Sequence, residues 1–447
     1  MPRTPSLRTN FLWQLLTNGL AAVAQLVITL AIANATSTVV TGEFTIAWAL
    51  CTPIFLFAGF DLRSVQATDA RGEFSVVDQL AIRLISGLIA SIACLTYVLA
   101  RGWPESLLLV VAAISVGKYC ELIADTFVGL MQRHERFELV TRSTAIRALV
   151  GCLSLSVAIM LTHDLVTSVM CSAIASLAVM ACVEIPWGRQ FVDRVGLKVH
   201  DDSMRLDPSA HAVAGLSLWR RPIQRDGLRR LVELGLPLAV RALLVSMTPS
   251  VARFFVEVYH GFGNVGVFGV ISQLTMAAIL FSRSLNPAFA PRLSRYLRDG
   301  DLAGFRGLLL KVRLLYAAIG LGSLLTVVCF GRPILRLVLK PEYAAHYDVF
   351  VCAMLATAIL FQGGVLDVAL VTLRRVQSLA LTSLITLTTM CLSGWLMVPG
   401  WGLRGAALSV ALSWAVRGVH LQIELSRELR RLSAVANESA TENRAAA

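Results

Sequence analysis

SVGKYCELIADTFVGLMQRHERFE, residues 115–138, places Lys118, Glu121 and Asp125 inside a strongly apolar run that ends in basic residues from Arg133 onward. On a helix at about 100° per residue, Ser115, Lys118, Glu121, Asp125 and Gly129 fall within roughly 120° of arc and form one polar face. At about 1.5 Å per residue, Asp125 lies about 12 Å inside the level of Arg133, and Lys118 about 22 Å. If this helix crosses a bilayer, its charges lie deep within it, where each costs at least about 2.5 kcal/mol unless it faces protein or water.

The rest of the chain makes the bilayer its natural solvent. Of the 447 residues 56% are hydrophobic and only 15% charged, and the mean hydropathy is +0.70. Apolar runs of about twenty residues recur from end to end, each long enough to cross roughly 30 Å of hydrocarbon as a helix. The first, FLWQLLTNGLAAVAQLVITLAIANA, is too long for the core of a signal peptide and lacks a convincing small-x-small cleavage site, so it is expected to be retained as a span.

Hydropathy and turn punctuation predict an all-α polytopic protein with twelve spans, at 11–34, 41–60, 80–100, 104–130, 144–162, 166–187, 231–257, 264–287, 311–331, 347–371, 377–398 and 403–423. Thirty-two of the 40 Lys and Arg residues fall on the side of the N-terminus, five on the opposite side and three (Lys118, Arg241 and Arg253) within spans. This imbalance puts both termini in the cytoplasm. Most of the net charge of +12 therefore orients the chain and meets anionic lipid; no nucleic-acid partner is expected. The expected organisation is a six-helix bundle (1–187), a polar cytoplasmic linker (188–230), a second six-helix bundle (231–423) and a cytoplasmic tail (424–447).

The halves show weak self-similarity. TGEFTIAWAL at the second span matches VGVFGVISQL at the eighth, and Asp125 and Asp367 each stand eight residues before the Arg at a membrane exit, Arg133 and Arg375. Such spacing fits parallel repeats, although chance likeness among Leu- and Val-rich segments is the competing explanation.

The intramembrane charges admit two readings. Lys118 and Glu121 can pair as i,i+3 neighbours and lock the helix to its surroundings. One cation cannot neutralise two carboxylates, however, so Asp125 needs a proton, a cation or an arginine from another helix, and a hydrated cavity would supply the first two. On the first span Gln14, Asn18, Gln25, Thr29 and Thr36 share about 60° of the wheel, as interhelical glue or as the lining of a sugar path. On the seventh span, Pro249 separates two arginines: Arg253 has Glu257 at i+4, whereas Arg241 has no acid one turn away. An unpaired guanidinium in a membrane is suited to a phosphate, because its donors are fixed in pairs.

Enzyme chemistry has no visible constellation. No Walker motif, HExxH, GxSxG or acidic metal motif is present. The nine cysteines lie in or beside apolar runs without CxxC or ligand spacing, so neither disulfides nor zinc are expected. His163–Asp164 reads as a solvated external turn. No metal or cofactor is expected.

NFLWQLLTNGLAAVAQLVITLAIA, TGEFTIAWALCTPIFLFAGFDLRSVQATDA, DTFVGLMQRHERFE, ARFFVEVYHGFGNVGVFGVISQL and NPAFAPRLSRY, in that order, resemble the Wzx-type polysaccharide flippases of the multidrug/oligosaccharidyl-lipid/polysaccharide (MOP) exporter superfamily. The resemblance implies two six-helix bundles around a central cavity in the bacterial cytoplasmic (inner) membrane. It implies translocation of undecaprenyl-pyrophosphate-linked oligosaccharide by alternating access, coupled to an ion gradient, with a polymerase and a chain-length regulator as candidate partners. The matching stretches carry Asp61 and Arg63 as cytoplasmic gate candidates, and Asp125 and Arg253. Lys118, Arg241, Arg253, Asn18 and Gln25 are the expected substrate contacts, and Glu121, Asp125 and Asp367 the candidates for ion coupling. The rival readings are a drug/cation antiporter of the same superfamily and a membrane polymerase or ligase, the second disfavoured by very short external connections.

Overall fold

The computed structural model describes residues 7–69, 74–192, 225–373 and 375–445, and these are helical throughout apart from short turns. The helices are α1 (Leu7–Ala35), α2 (Thr38–Ala58), α3 (Leu62–Thr68), α4 (Val76–Ala100), α5 (Glu105–Arg133), α6 (Phe137–Thr162) and α7 (Leu165–Val179), which continues through a π-helical turn at Met180–Glu184. They continue with α8 (Arg225–Arg298), α9 (Leu302–Val338), α10 (Pro341–Ala344), α11 (Tyr347–Thr372) and α12 (Val376–Ala445). Among the described residues, ten helices are long and apolar enough to cross a membrane. The linker expected at 188–230 lies largely outside the described residues.

Caps and turns set the boundaries. Ser37, Ser75, Asp164 and Asp301 each precede a helix and accept a backbone N–H of its first turn. Hydrogen bonds from Thr167 hold the Asp164 carboxyl below the usual carboxylate range, and His163, at φ 54°, reaches back to the Ala35 carbonyl at 3.0 Å. The turn read as merely solvated thus also ties the start of α7 to the end of α1. Two long helices are broken at glycine, α8 at Gly261 (φ 76°, ψ 175°) and α12 at Gly402 (φ 57°, ψ −134°). These conformations suit a residue without Cβ. His260 Nε2 lies 2.8 Å from the Val398 carbonyl, so the two breaks sit side by side.

The chain forms two compact units, residues 1–246 and 247–447. In the first, α5 is the central post, packed by α2, α3, α4 and α7, while α1 lies along α6. Small residues permit close approach: a Cβ on Gly87 of α4 would lie 2.3 Å from the Tyr119 ring of α5. In the second unit α11 packs against α9 and α12. Its core includes Phe289, Phe305, Tyr316 and Phe361, with Tyr316 edge-on to both Phe289 and Phe361.

The helices outrun the predicted spans. α9 begins nine residues earlier than expected and α12 continues to Ala445. The reason is packing: Leu421, Leu425 and Leu429, one turn apart, are buried in the same core as Phe305 and Leu309. The expected tail from 424 therefore starts as part of that core. The short helices α3 and α10 have no counterpart in the hydropathy reading, being too brief to give a signal.

Replacing Gly87 with valine should drive α4 away from Tyr119, whose hydroxyl is tied to the Leu84 carbonyl at 2.8 Å. We expect a loss of about 1–3 kcal/mol, read as a lower thermal midpoint of the purified protein in nanodiscs.

Candidate functional site

The polar face of α5 is met by α2 and by α3. At its upper end Lys118 Nζ pairs with Glu121 Oε2 at 2.9 Å and sits 4.5 Å over the Trp48 ring of α2. Lower down, Asp125 Oδ1 meets Arg63 Nη1 at 3.5 Å, and Arg63 Nε donates to Gln132 Oε1 at 3.1 Å. Of the proton, cation or arginine that the charge count left open for Asp125, an arginine is supplied, and it comes from α3.

How α3 comes to lie there follows from its turn. Phe60 and Asp61 adopt φ of 49° and 45°, and the Asp61 carboxylate accepts the Ser64 hydroxyl at 2.8 Å. Past this turn Leu62, fully buried, packs with Ile82 and Leu231. From there α3 runs along α5 in register. Arg63 meets Asp125, Gln66 seats on Gly129 and Asp69 meets Arg133 at 3.6 Å, residues three apart on one helix facing residues four apart on the other. A Cβ on Gly129 would lie 2.2 Å from Gln66 Oε1, which explains a glycine on this face. Of the two gate candidates, Arg63 bears on α5, whereas Asp61 shapes the turn.

Two further arginines belong to the same region and were missed, having been assigned to cytoplasmic loops. Arg83 is 1% exposed and donates through Nη1 to the Leu122 carbonyl at 3.0 Å. Arg147 pairs with Glu184, its Nε 2.8 Å from Oε1, and Ser143 donates to the same oxygen at 3.2 Å. Glu184 lies in the π-helical turn of α7, and one inserted residue re-aims a side chain that a regular helix would place elsewhere. Arg83 lies within electrostatic reach of Asp125, and Arg147 of Glu121 and Asp125. The only sequence signal was an arginine flanked by apolar residues, AIRLI and AIRAL.

The stripe on α1 is not a continuous lining. Thr29 and Thr36 are buried and donate to their own helix, at the carbonyls of Gln25 and Ile32. Gln14 donates to Asn18 at 3.4 Å, and Asn18 is exposed. The side chain that does join helices, Thr17, lies off the stripe and meets Thr141 of α6 at 2.7 Å.

The two arginines of α8 differ from those of the α5 network. Arg241 is half-buried and has no ion-pair or hydrogen-bond partner among the described residues. For Arg253 the expected i,i+4 pair with Glu257 is not among the ion pairs formed, and its Nε is buried without a hydrogen-bond partner. In the second unit Asp367 is held by Arg417 through both carboxylate oxygens, at 2.8 and 2.9 Å, and that guanidinium lies 5.9 Å from the Trp414 ring. All three carboxylates considered for ion coupling, Glu121, Asp125 and Asp367, are therefore ion-paired. Among the described residues no cluster of His, Cys, Asp or Glu is arranged to hold a metal.

Comparison with solved structures places the fold. Over 93% of its length the chain superposes on 96% of an inward-facing multidrug-resistance MATE family transporter of the MOP superfamily, with a TM-score of 0.69 at 12% identity. It also superposes on a MOP-superfamily transporter from Pyrococcus furiosus described as having a binding pocket of reverse polarity, with a TM-score of 0.63, 13% identity and 95% of each chain covered. The fold is that of the MOP-superfamily transporters, as the sequence resemblance implied. In sequence the chain is a distant relative of the capsular polysaccharide biosynthesis protein CapF of Staphylococcus aureus, 23% identical over 407 residues that cover 90% of this chain and 95% of the relative. No protein-family profile matches it.

Replacing Arg147 with leucine strands the Glu184 carboxylate, which is 2% exposed. The expected cost is about 3–5 kcal/mol, whereas the double replacement R147L/E184L should recover most of it. Thermal unfolding of the three proteins in nanodiscs checks both expectations.

Proposed function

We propose that this chain is a flippase that moves an undecaprenyl-pyrophosphate-linked oligosaccharide from the inner to the outer leaflet of the bacterial cytoplasmic membrane, for capsule, O-antigen or exopolysaccharide export. The observation that carries the reading is its end-to-end likeness to a capsular polysaccharide biosynthesis protein, with 90% of the chain covered.

The topology that goes with this function has twelve spans and both termini in the cytoplasm. A straight helix of 74 residues would extend about 110 Å, more than three times the hydrocarbon core. Reversal at Gly261 and at Gly402 turns α8 and α12 into two spans each, and the cation imbalance of the loops orients the whole.

The intramembrane arginines divide by role. Arg63, Arg147 and Arg417 are committed to carboxylates, and Lys118, first considered for the substrate, is shared between Glu121 and Trp48. Arg241, without a partner among the described residues, is left to meet a pyrophosphate oxygen pair through its parallel N–H donors. Arg253 offers an unsatisfied Nε in the second unit. Asn18 and Gln25 offer amide groups suited to sugar hydroxyls.

The competing reading is export of cationic drugs, favoured by the fold shared with a multidrug transporter. Against it stand the ion pairs of Glu121, Asp125 and Asp367, which leave those carboxylates already matched by the protein's own cations.

Expression of the chain in a strain lacking its polysaccharide flippase should restore surface polymer. Arg241→Ala should abolish this at equal protein level, while Arg241→Lys, which keeps the charge but loses the paired donors, should restore it only in part. A chain that restores resistance to cationic drugs and no polymer would establish the antiporter instead.

A further inference from the structure

Glu43 stands in α2, five residues past its start, within the stretch TGEFTIAWAL. It is half-buried and forms no ion pair and no hydrogen bond among the described residues. In this it differs from the carboxylates that lie deeper within α5 and α7. Glu121 has Lys118, Asp125 has Arg63 and Glu184 has Arg147. A carboxylate matched by a fixed cation is already compensated. One without a partner inside a membrane span is costly as an anion, and adding a proton removes that cost.

The groups that face this end of α2 offer no substitute for a proton. α2 runs antiparallel to α4, with Ser86 of α4 donating to the Ala58 carbonyl at 2.7 Å, so Glu43 lies toward the Arg101 end of α4. That arginine lies 5.6 Å from the Trp103 ring and does not pair with Glu43. α4 further contributes Tyr97, and Cys94, whose thiol is within hydrogen-bonding reach of Cys51 of α2. α5 runs parallel to α2, with Cys51 and Ser115 in contact at 3.7 Å, so its first-turn Glu105 stands toward the same end. Lys118, farther along, is held by Glu121 and by Trp48, on another side of α2. α1 brings only neutral polar groups there, Asn34 and Thr36.

We infer that Glu43 is the proton-binding carboxyl of the first unit. It holds a proton while shielded from water, and it exchanges that proton with water when the cycle opens its end of α2. In each turn the O–H bond forms with a proton from one aqueous side and breaks to give it to the other, leaving the carboxylate to be reprotonated. Assigning this exchange to transport rests on the flippase reading, but the protonation itself does not. The ion-paired Asp125, Glu121 and Asp367 then act as fixed structural charges.

The test uses the full-length protein in nanodiscs, with infrared difference spectra recorded during a pH titration. Wild type should show a protonated-carboxyl C=O band at neutral pH that bleaches on alkalinisation. The band should be lost in Glu43→Gln and retained in Asp125→Asn and Glu121→Gln. A band that survives in Glu43→Gln, or is absent from wild type, overturns the proposal. Surface-polymer export in the flippase-deficient strain supplies the second arm: Glu43→Gln should lose export and Glu43→Asp should keep it. Normal export by Glu43→Gln would refute the coupling role while leaving the flippase reading intact. Failure of the wild-type chain to restore any polymer would refute the flippase reading while leaving the infrared result to stand on its own.

Discussion

An ionised side chain in hydrocarbon must be matched, and the contact between Arg63 and Asp125 is where that constraint organises the first unit. Asp125 lies well inside α5, so its partner has to be delivered by another segment. The strained turn at Phe60–Asp61 delivers it by laying α3 along α5, and Gln66 on Gly129 and Asp69 beside Arg133 fix the register. Without the turn there is no arginine at Asp125; without the glycine, α3 cannot approach closely enough.

The second unit meets the same requirement differently. Asp367 is the spacing counterpart of Asp125, but its arginine, Arg417, comes from α12 and binds both carboxylate oxygens. Matching the carboxylate is common to the two units, and the source of the cation is not. An aspartate placed eight residues inside a membrane exit serves in each as an anchor between helices. A substrate anion or a coupling proton must then be met by groups outside these pairs, which directs attention to Arg241, Arg253 and Glu43.

Much of the architecture was legible because hydrocarbon imposes a length and a polarity on anything that crosses it. The recurrence of apolar runs gave an all-helical membrane protein, and the Gly-rich breaks YHGFG and PGWG were correctly placed between helical segments. The charges were harder to read. Arg83 and Arg147 fell at the edges of hydropathy windows and passed for loop cations, although each is held well inside a helix bundle by a carbonyl or a carboxylate. Short helices such as α3 carry too few residues to show a period, and a π-helical turn such as Met180–Glu184 has no compositional mark.

The sequence by itself determined that the chain lives in a bilayer, that it is helical and that Lys118, Glu121 and Asp125 share one face, since these follow from hydropathy and from the fixed angle between successive residues of a helix. Tertiary structure alone decided which of those charges are already matched. Pairing depends on which helix lies alongside and in what register, and that is set by contacts between segments distant in the chain, such as Arg63 with Asp125 and Arg147 with Glu184. The same packing left Glu43 without a partner, although TGEF gives no hint of it.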